Sequence, residues 1–196
     1  MKSPEMKLSA MLTGNWLSCR FTLEEPLFEG GAVYFASSAE AEGSPLAQEL
    51  FRLPGVSAVK LAAGSVTVTR DDDQDWPSMA RKVAGVLRAH RASGKPALKQ
   101  GIRPNVPSPE EIRERVEKVL SEKINPALGD HGGSVELVDV REASVYLRMM
   151  GGCQGCAGAR ATLRHGVERA LRDDVPQLDD VVDVTDHAAG ASPYQS

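Results

Sequence analysis

The chain has 196 residues, of which 41% are hydrophobic and 26% charged, and a formal net charge of −4. That length allows one domain or two small ones, and the acidic balance argues against a general nucleic-acid binder. No apolar run approaches the roughly 20 residues that cross a bilayer, and three cysteines, two of them as Cys153-Gln154-Gly155-Cys156, make no disulfide framework but fit a reducing compartment and a metal or redox site.

Residues 1–15 read as a loose lead-in with no secretory signal. Trp16 to Leu23 predicts a strand with Leu17, Cys19, Phe21 and Leu23 on one face. Cys19 on that face reads as a small buried hydrophobe rather than a ligand. Ala32 to Phe35 predicts a second strand. Ser44 and Pro45 open a helix as N-cap and first helical residue, with Leu46, Ala47, Leu50 and Phe51 as its apolar stripe, and Pro54-Gly55 ends it. Val56 to Leu61 and Ser65 to Arg70 predict a hairpin. Asp71-Asp72-Asp73 lacks the spacing of a calcium loop and reads as a solvated turn. Asp75 caps a helix from Trp76 to about Arg91, in which His90 is expected to interact with the negative end of the helix dipole. Residues 93–107 carry Gly94, Pro96, Gly101, Pro104 and Pro107 and read as an exposed, semi-extended linker.

Ser108-Pro109-Glu110-Glu111 is a capping box, and Ile112, Val116, Val119 and Leu120 form the stripe of the helix it starts. Asn125-Pro126 is expected to end that helix. His131, in a glycine-rich turn, is a ligand, a proton donor or a turn residue, and strained turn geometry favours the last. Val135 to Val140 and Ser144 to Met149 predict a hairpin with Val145, Leu147 and Met149 on one face. After the cysteine pair, a helix from Ala159 to Arg172 places Leu163, Val167, Ala170 and Leu171 on one face and Arg160, Arg164, Glu168 and Arg172 on another. Arg160, Arg164 and His165 either offset charge on the thiolates or form a solvated face. Val181 to Thr185 is a last strand, and residues 188–196 read as a tail. The expected fold class is α+β: two small α/β-sandwich-like domains, residues 16–92 and 108–187, joined by the linker 93–107. The second has the order helix, strand, strand, CxxC loop, helix, strand.

The cysteine pair sits between a strand and a helix, with Cys156 near the first helical turn. Unpartnered N–H groups there favour an anion, lower a thiol's pKa and prepare it to bind metal. Gly151, Gly152, Gly155 and Gly158 keep the loop thin enough for close approach to whatever the sulfurs hold. Zinc and cubane iron–sulfur sites want four ligands. Cys19 lies in the other domain, so one chain supplies two. Two chains related by a twofold axis could supply Cys153 and Cys156 each. The count allows a metal or cluster between protomers, or a redox pair without metal.

The C-terminal half resembles the Nfu-type iron–sulfur scaffold domain, the C-terminal domain of NifU. The resemblance is carried by Ile124-Asn125-Pro126, His131-Gly132-Gly133, Val135-Glu136-Leu137-Val138, Gly152-Cys153-Gln154-Gly155-Cys156 and Thr162-Leu163-Arg164-His165-Gly166-Val167-Glu168. The His-Gly-Gly turn and Val184-Thr185-Asp186-His187 are similar to the bacterial NfuA branch. Ser44-Pro45-Leu46-Ala47, Pro54-Gly55-Val56, Val66-Thr67-Val68-Thr69 and Asp75-Trp76 resemble the Nfu N-terminal domain. Ala157 stands where many relatives carry Pro and keeps an N–H that Pro lacks. The resemblance implies a scaffold or carrier, not an enzyme, holding one 4Fe–4S cluster per homodimer through Cys153 and Cys156 of both subunits. Gly152 and Gly155 would support the cluster. It implies apo iron–sulfur proteins as recipients, upstream scaffold or donor proteins, and no nucleic-acid or membrane partner. The expected compartment is a bacterial cytoplasm or an organelle matrix. A thiol–disulfide oxidoreductase and a dimer-bridging structural zinc site are the alternatives. Against the first, the strands before CxxC read as a hairpin rather than a parallel βαβ unit.

Overall fold

The computed structural model describes residues 6–13, 17–72, 75–129, 132–151 and 157–185, with residues 157–164 described by backbone alone. The chain divides into two compact units, Met1–Val106 and Pro107–Ser196. Both mix helix and sheet, giving the α+β class.

In the first unit β1 (Leu8–Leu12), β2 (Ser18–Leu23), β3 (Val33–Phe35), β4 (Val56–Ala62) and β5 (Ser65–Arg70) form an antiparallel sheet in the order β1-β2-β5-β4-β3. Helix α1 (Pro45–Phe51) packs on β4, and α2 (Trp76–Ala92) packs on β2. Strand alternation sends Cys19, Phe21 and Leu23 to the helix side, where they meet Val59, Leu61, Val66 and Val68 in one core with Leu46, Leu50, Val83 and Leu87. Ser44 caps α1 by accepting from the Ala47 N–H at 3.0 Å, and its hydroxyl donates to the Ala97 carbonyl at 2.7 Å.

Three features of this unit depart from expectation. Part of the lead-in is strand β1, paired along β2 from Leu8 opposite Leu23 to Leu12 opposite Cys19. Residues 9–12 are all exposed, so no buried face writes an alternation into the sequence. His90 is buried, and its Nδ1 lies 3.1 Å from Glu49 Oε2. Beyond its expected place in the last turn of α2 it therefore ties α1 to α2, a role the sequence did not show. The segment 93–107 is mostly exposed but pinned to the unit. Ala97 is buried, the Lys99 N–H donates to Gly43 O at 2.9 Å, and the Asn105 side chain takes both backbone groups of Tyr34 at 2.7 and 2.8 Å.

The second unit begins with α3 (Pro109–Val119), whose Ser108–Glu111 capping box is formed in both directions. The helical path does not end at Asn125-Pro126. It widens into a π turn over Leu120–Ile124, with the Asn125 N–H donating to Leu120 O, and continues as α4 (Asn125–Gly129). Pro126 lacks an N–H and crowds the carbonyl four residues back, and a wider turn relieves that conflict. Then come β6 (Gly133–Arg141), β7 (Ser144–Gly151), α5 (Ala157–Asp174) and β8 (Val181–Asp183). The sheet order is β6-β7-β8, with β6 antiparallel and β8 parallel to β7. Ile112, Val116 and Val119 of α3, Val135, Val145, Leu147 and Met149 of the hairpin, and Val167 and Leu171 of α5 are all buried. Burying a side chain such as Leu147 stabilises by about 2 kcal/mol.

The hairpin before CxxC forms as expected, but the parallel β8 weakens the argument drawn from it. Strand β7, helix α5 and strand β8 do form a βαβ crossover, so the hairpin before CxxC does not by itself separate this arrangement from a redox fold. The pairing of β7 with both β6 and β8 was not legible because β8 is only three residues long.

Candidate functional site

The two strands that lead to the cysteines close on a pair of glycines. Gly133 opens β6 and lies opposite Gly151, the last residue of β7. Gly151 has φ +64°, and a β-carbon on it would fall 2.3 Å from Gly132 O. Only glycine permits this backbone approach without a shift. Strand β7 therefore stops at Gly151, α5 starts at Ala157, and the five intervening residues hold both cysteines. Cys153, Cys156, Gly152, Gly155 and His131 lie outside the described residues, as does the side chain of Arg160.

What is described around that loop is a set of fixed anchors. Two strand positions before Gly151, Met149 is 4% exposed and stands opposite Val135, which is 2% exposed. The Asn125 side chain bonds the backbone of Val135 on one side: Val135 N–H donates to Oδ1 at 2.8 Å and Nδ2 donates to Val135 O at 3.0 Å. On the other side the Met149 N–H donates to Thr185 Oγ1 at 2.7 Å, and Thr185 Oγ1–H donates to Asp183 Oδ1 at 2.5 Å. Asn125 and Thr185 were missed as site-supporting residues. Asn125 carried a helix-stop signal and Thr185 the end of a strand, and the family resemblance ran through both without giving either a role.

Helix α5 is held at its far end. Arg172 donates to Glu168 Oε1, Leu178 O and Asp179 O at 3.0, 2.7 and 3.0 Å. Glu168 and Arg172, which the sequence left on a face with Arg160 and Arg164, thus form a largely enclosed latch across the turn to β8. Also at that end, Asp174 pairs with Lys123 of the π turn and holds the Lys123 ammonium above its ordinary pKa. A shallow cleft lined by Arg115, Lys118, Val119, Glu122, Lys123 and Asp174 opens there. It lies the length of α5 from Ala157, about 25 Å at 1.5 Å per residue, and so takes no part in cysteine chemistry.

The third cysteine is elsewhere. Cys19 is 3% exposed in the core of the first unit. Desolvation pushes its thiol up to about 11, against a smaller lowering by a backbone hydrogen bond from Met11. A thiol so placed stays protonated and is a poor ligand and nucleophile. Among the described residues, no three His, Cys, Asp or Glu side chains converge as a metal site. No helix among them is long and apolar enough to cross a membrane.

Residues 8–94 match the family described as scaffold protein Nfu/NifU N terminal, and residues 116–182 match the NifU-like domain. The chain is similar to the NFU1 iron-sulfur cluster scaffold homolog, mitochondrial, of Drosophila persimilis, with 30% identity over 169 residues, covering 84% of this chain and 60% of that protein. A NifU-like protein of Schizosaccharomyces pombe is 27% identical over 164 residues, covering 80% of this chain and 63% of that one. The chain thus spans about 60% of the length of these curated relatives. The solution structure of a NifU-like protein from Saccharomyces cerevisiae aligns with a TM-score of 0.46 at 20% identity, over 51% of this chain and 90% of that one.

Proposed function

We propose, from the premise that the chain belongs to the Nfu/NifU family through both of its domains, that it is an iron–sulfur cluster scaffold whose cargo is held by Cys153 and Cys156. The observation that carries this is the removal of the third thiol. With Cys19 buried in the other unit and held protonated, each chain has two sulfurs to offer. A 4Fe–4S cargo takes four, so two copies share one cluster, each contributing its CxxC pair. Ligation by thiolates at the start of a helix suits an anionic cluster, and the glycines beside the cysteines leave room for it.

A scaffold performs no turnover chemistry. It passes its cargo to an apo-protein when a recipient's thiolates replace its own one at a time, which calls for an accessible site. Upstream donors and apo iron–sulfur recipients are its partners. One of the similar proteins is named as mitochondrial, and a reducing compartment, bacterial cytoplasm or organelle matrix, suits free thiols.

A second reading, a thiol–disulfide oxidoreductase, is favoured by one observation: the cysteines stand between the strand and helix of a βαβ crossover. Anaerobic reconstitution of the full chain with iron and sulfide separates the readings. About four irons per dimer with a broad visible band, lost in Cys153→Ala and in Cys156→Ala, is the scaffold outcome. A colourless protein with a reversible disulfide favours the redox reading, and one zinc per dimer favours a structural metal site.

A further inference from the structure

We propose that Asn125 and Thr185 are positioning residues that clamp the Val135–Met149 strand row from its two sides and so hold the end of β7 from which the cysteine loop leaves. Neighbouring residues in an antiparallel pair alternate between those that exchange backbone hydrogen bonds and those that turn their N–H and C=O groups outward. Val135 turns both groups to Asn125, so the Val135–Met149 pair is of the outward kind. Met149 correspondingly directs its N–H toward the β8 side, where Thr185 Oγ1 accepts it.

At this row the two strands are thus joined by side-chain packing and held from outside by two polar side chains. Regular strand pairing supplies neither outer partner. The β7–β8 register runs from Val145 opposite Val181 to Leu147 opposite Asp183, and stops there. Asn125 is brought into place by the π turn, where its own N–H donates to Leu120 O. Thr185 is oriented by Asp183, whose Oδ1 accepts from both its N–H and its hydroxyl at 2.9 and 2.5 Å. Asp183 thereby commits the Thr185 hydroxyl hydrogen, leaving the oxygen as acceptor for Met149. The next outward pair along the strands is Gly133–Gly151, which has no side chains to pack. Between the two rows lies Ser134–Met150, in which Met150 is exposed, so the clamped row is the last one in which two buried side chains fix β7 before the cysteines.

What the loop carries is taken from the scaffold reading, but the clamp can be measured without cargo. The test uses the full chain as Thr185→Val, which keeps the shape and removes the acceptor, Thr185→Ser, which restores the hydroxyl, and Asn125→Ala, which removes the other half. Three quantities are read: hydrogen exchange of the Met149 to Gly151 amides, iodoacetamide alkylation of Cys153 and Cys156 in reduced metal-free protein, and the half-time of visible-band loss to a chelator after reconstitution. An unpartnered buried N–H should raise exchange in Thr185→Val by about tenfold. Alkylation should quicken and the cluster half-time shorten alongside it, Thr185→Ser should return all three toward wild type, and amides of β2 and β5 should be unchanged. Unaltered exchange overturns the clamp. Faster exchange with wild-type alkylation and wild-type half-time leaves a structural bond only and overturns the positioning role. Should Thr185→Val not fold, Asn125→Ala is judged by the same criteria. Should wild type take up no cluster, the scaffold reading falls, and exchange with alkylation still decides the clamp.

Discussion

Gly132 O occupies the place a β-carbon on Gly151 would need, 2.3 Å from it. The obstacle is backbone, and Gly151 also holds φ +64°, so neither a rotamer change nor a small side chain relieves it. Gly151→Ala is expected to destabilise the second unit by about 2–4 kcal/mol and to lower cluster uptake. Gly166, inside α5 with nothing within 4 Å of its β-position among the described residues, is the matched control: Gly166→Ala should stabilise by up to about 1 kcal/mol. Urea unfolding of both variants checks the sign of each.

Cys19 should behave as core, not as ligand. Cys19→Ala should cost about 1–2 kcal/mol of stability in the first unit through lost packing, with iron content unchanged. In the native protein its alkylation at neutral pH should be far slower than that of Cys153 and Cys156, because a thiol at about 11 is almost wholly protonated there. Loss of iron in Cys19→Ala would reinstate it as a ligand.

Arg172 ties the C-terminal turn of α5 to the segment leading into β8 through Glu168, Leu178 and Asp179. Arg172→Met keeps the aliphatic stem but leaves Glu168 enclosed without its counter-charge. A loss of about 2–4 kcal/mol in the second unit is expected from the unpaired carboxylate and carbonyls. The double variant Arg172→Met with Glu168→Gln should recover part of it, and a thermal melt of the three proteins tests the coupling.

Asp139 sits at the irregularity in the β6–β7 register and accepts from Arg141 Nε and from the Val140 N–H, both at 2.8 Å, with Arg113 also near. The Arg141 hydrogen bond, then that of Val140, holds its carboxyl below the usual range. A carboxyl lowered on folding adds stability that is fully present above its unfolded value near about 4 and is lost as pH falls through the lowered folded value. Asp139→Asn should therefore be less stable than wild type at neutral pH, and the gap should close as acid is added below about pH 4. A gap that persists at pH 2 would assign the effect to geometry rather than charge.

The elements whose signals are local were legible from residues alone. Ser44-Pro45 and the Ser108–Glu111 box sit where the helices start, because a cap is completed within three residues. Alternation located β2, β5 and β7, whose apolar positions line the cores. Strand β1 was hidden because its exposed residues carry no alternation, and the clamp was hidden because Asn125 and Thr185 meet partners 10 and 36 residues away.

Residue order alone thus carried the α+β class, the two-domain plan, the cysteine pair between a strand and a helix, and the resemblance that the two domain matches bear out. Each of these is written in spacing, caps and contiguous motifs. The folded chain added that the expected linker is pinned by Asn105, that a π turn carries the chain past Pro126, that β8 runs parallel to β7, and that the last buried row before the cysteines is held from both sides. Those outcomes depend on backbone groups finding partners far along the chain, and a buried N–H or C=O must find one somewhere. Residue order constrains which partners exist, but only the folded chain selects among them.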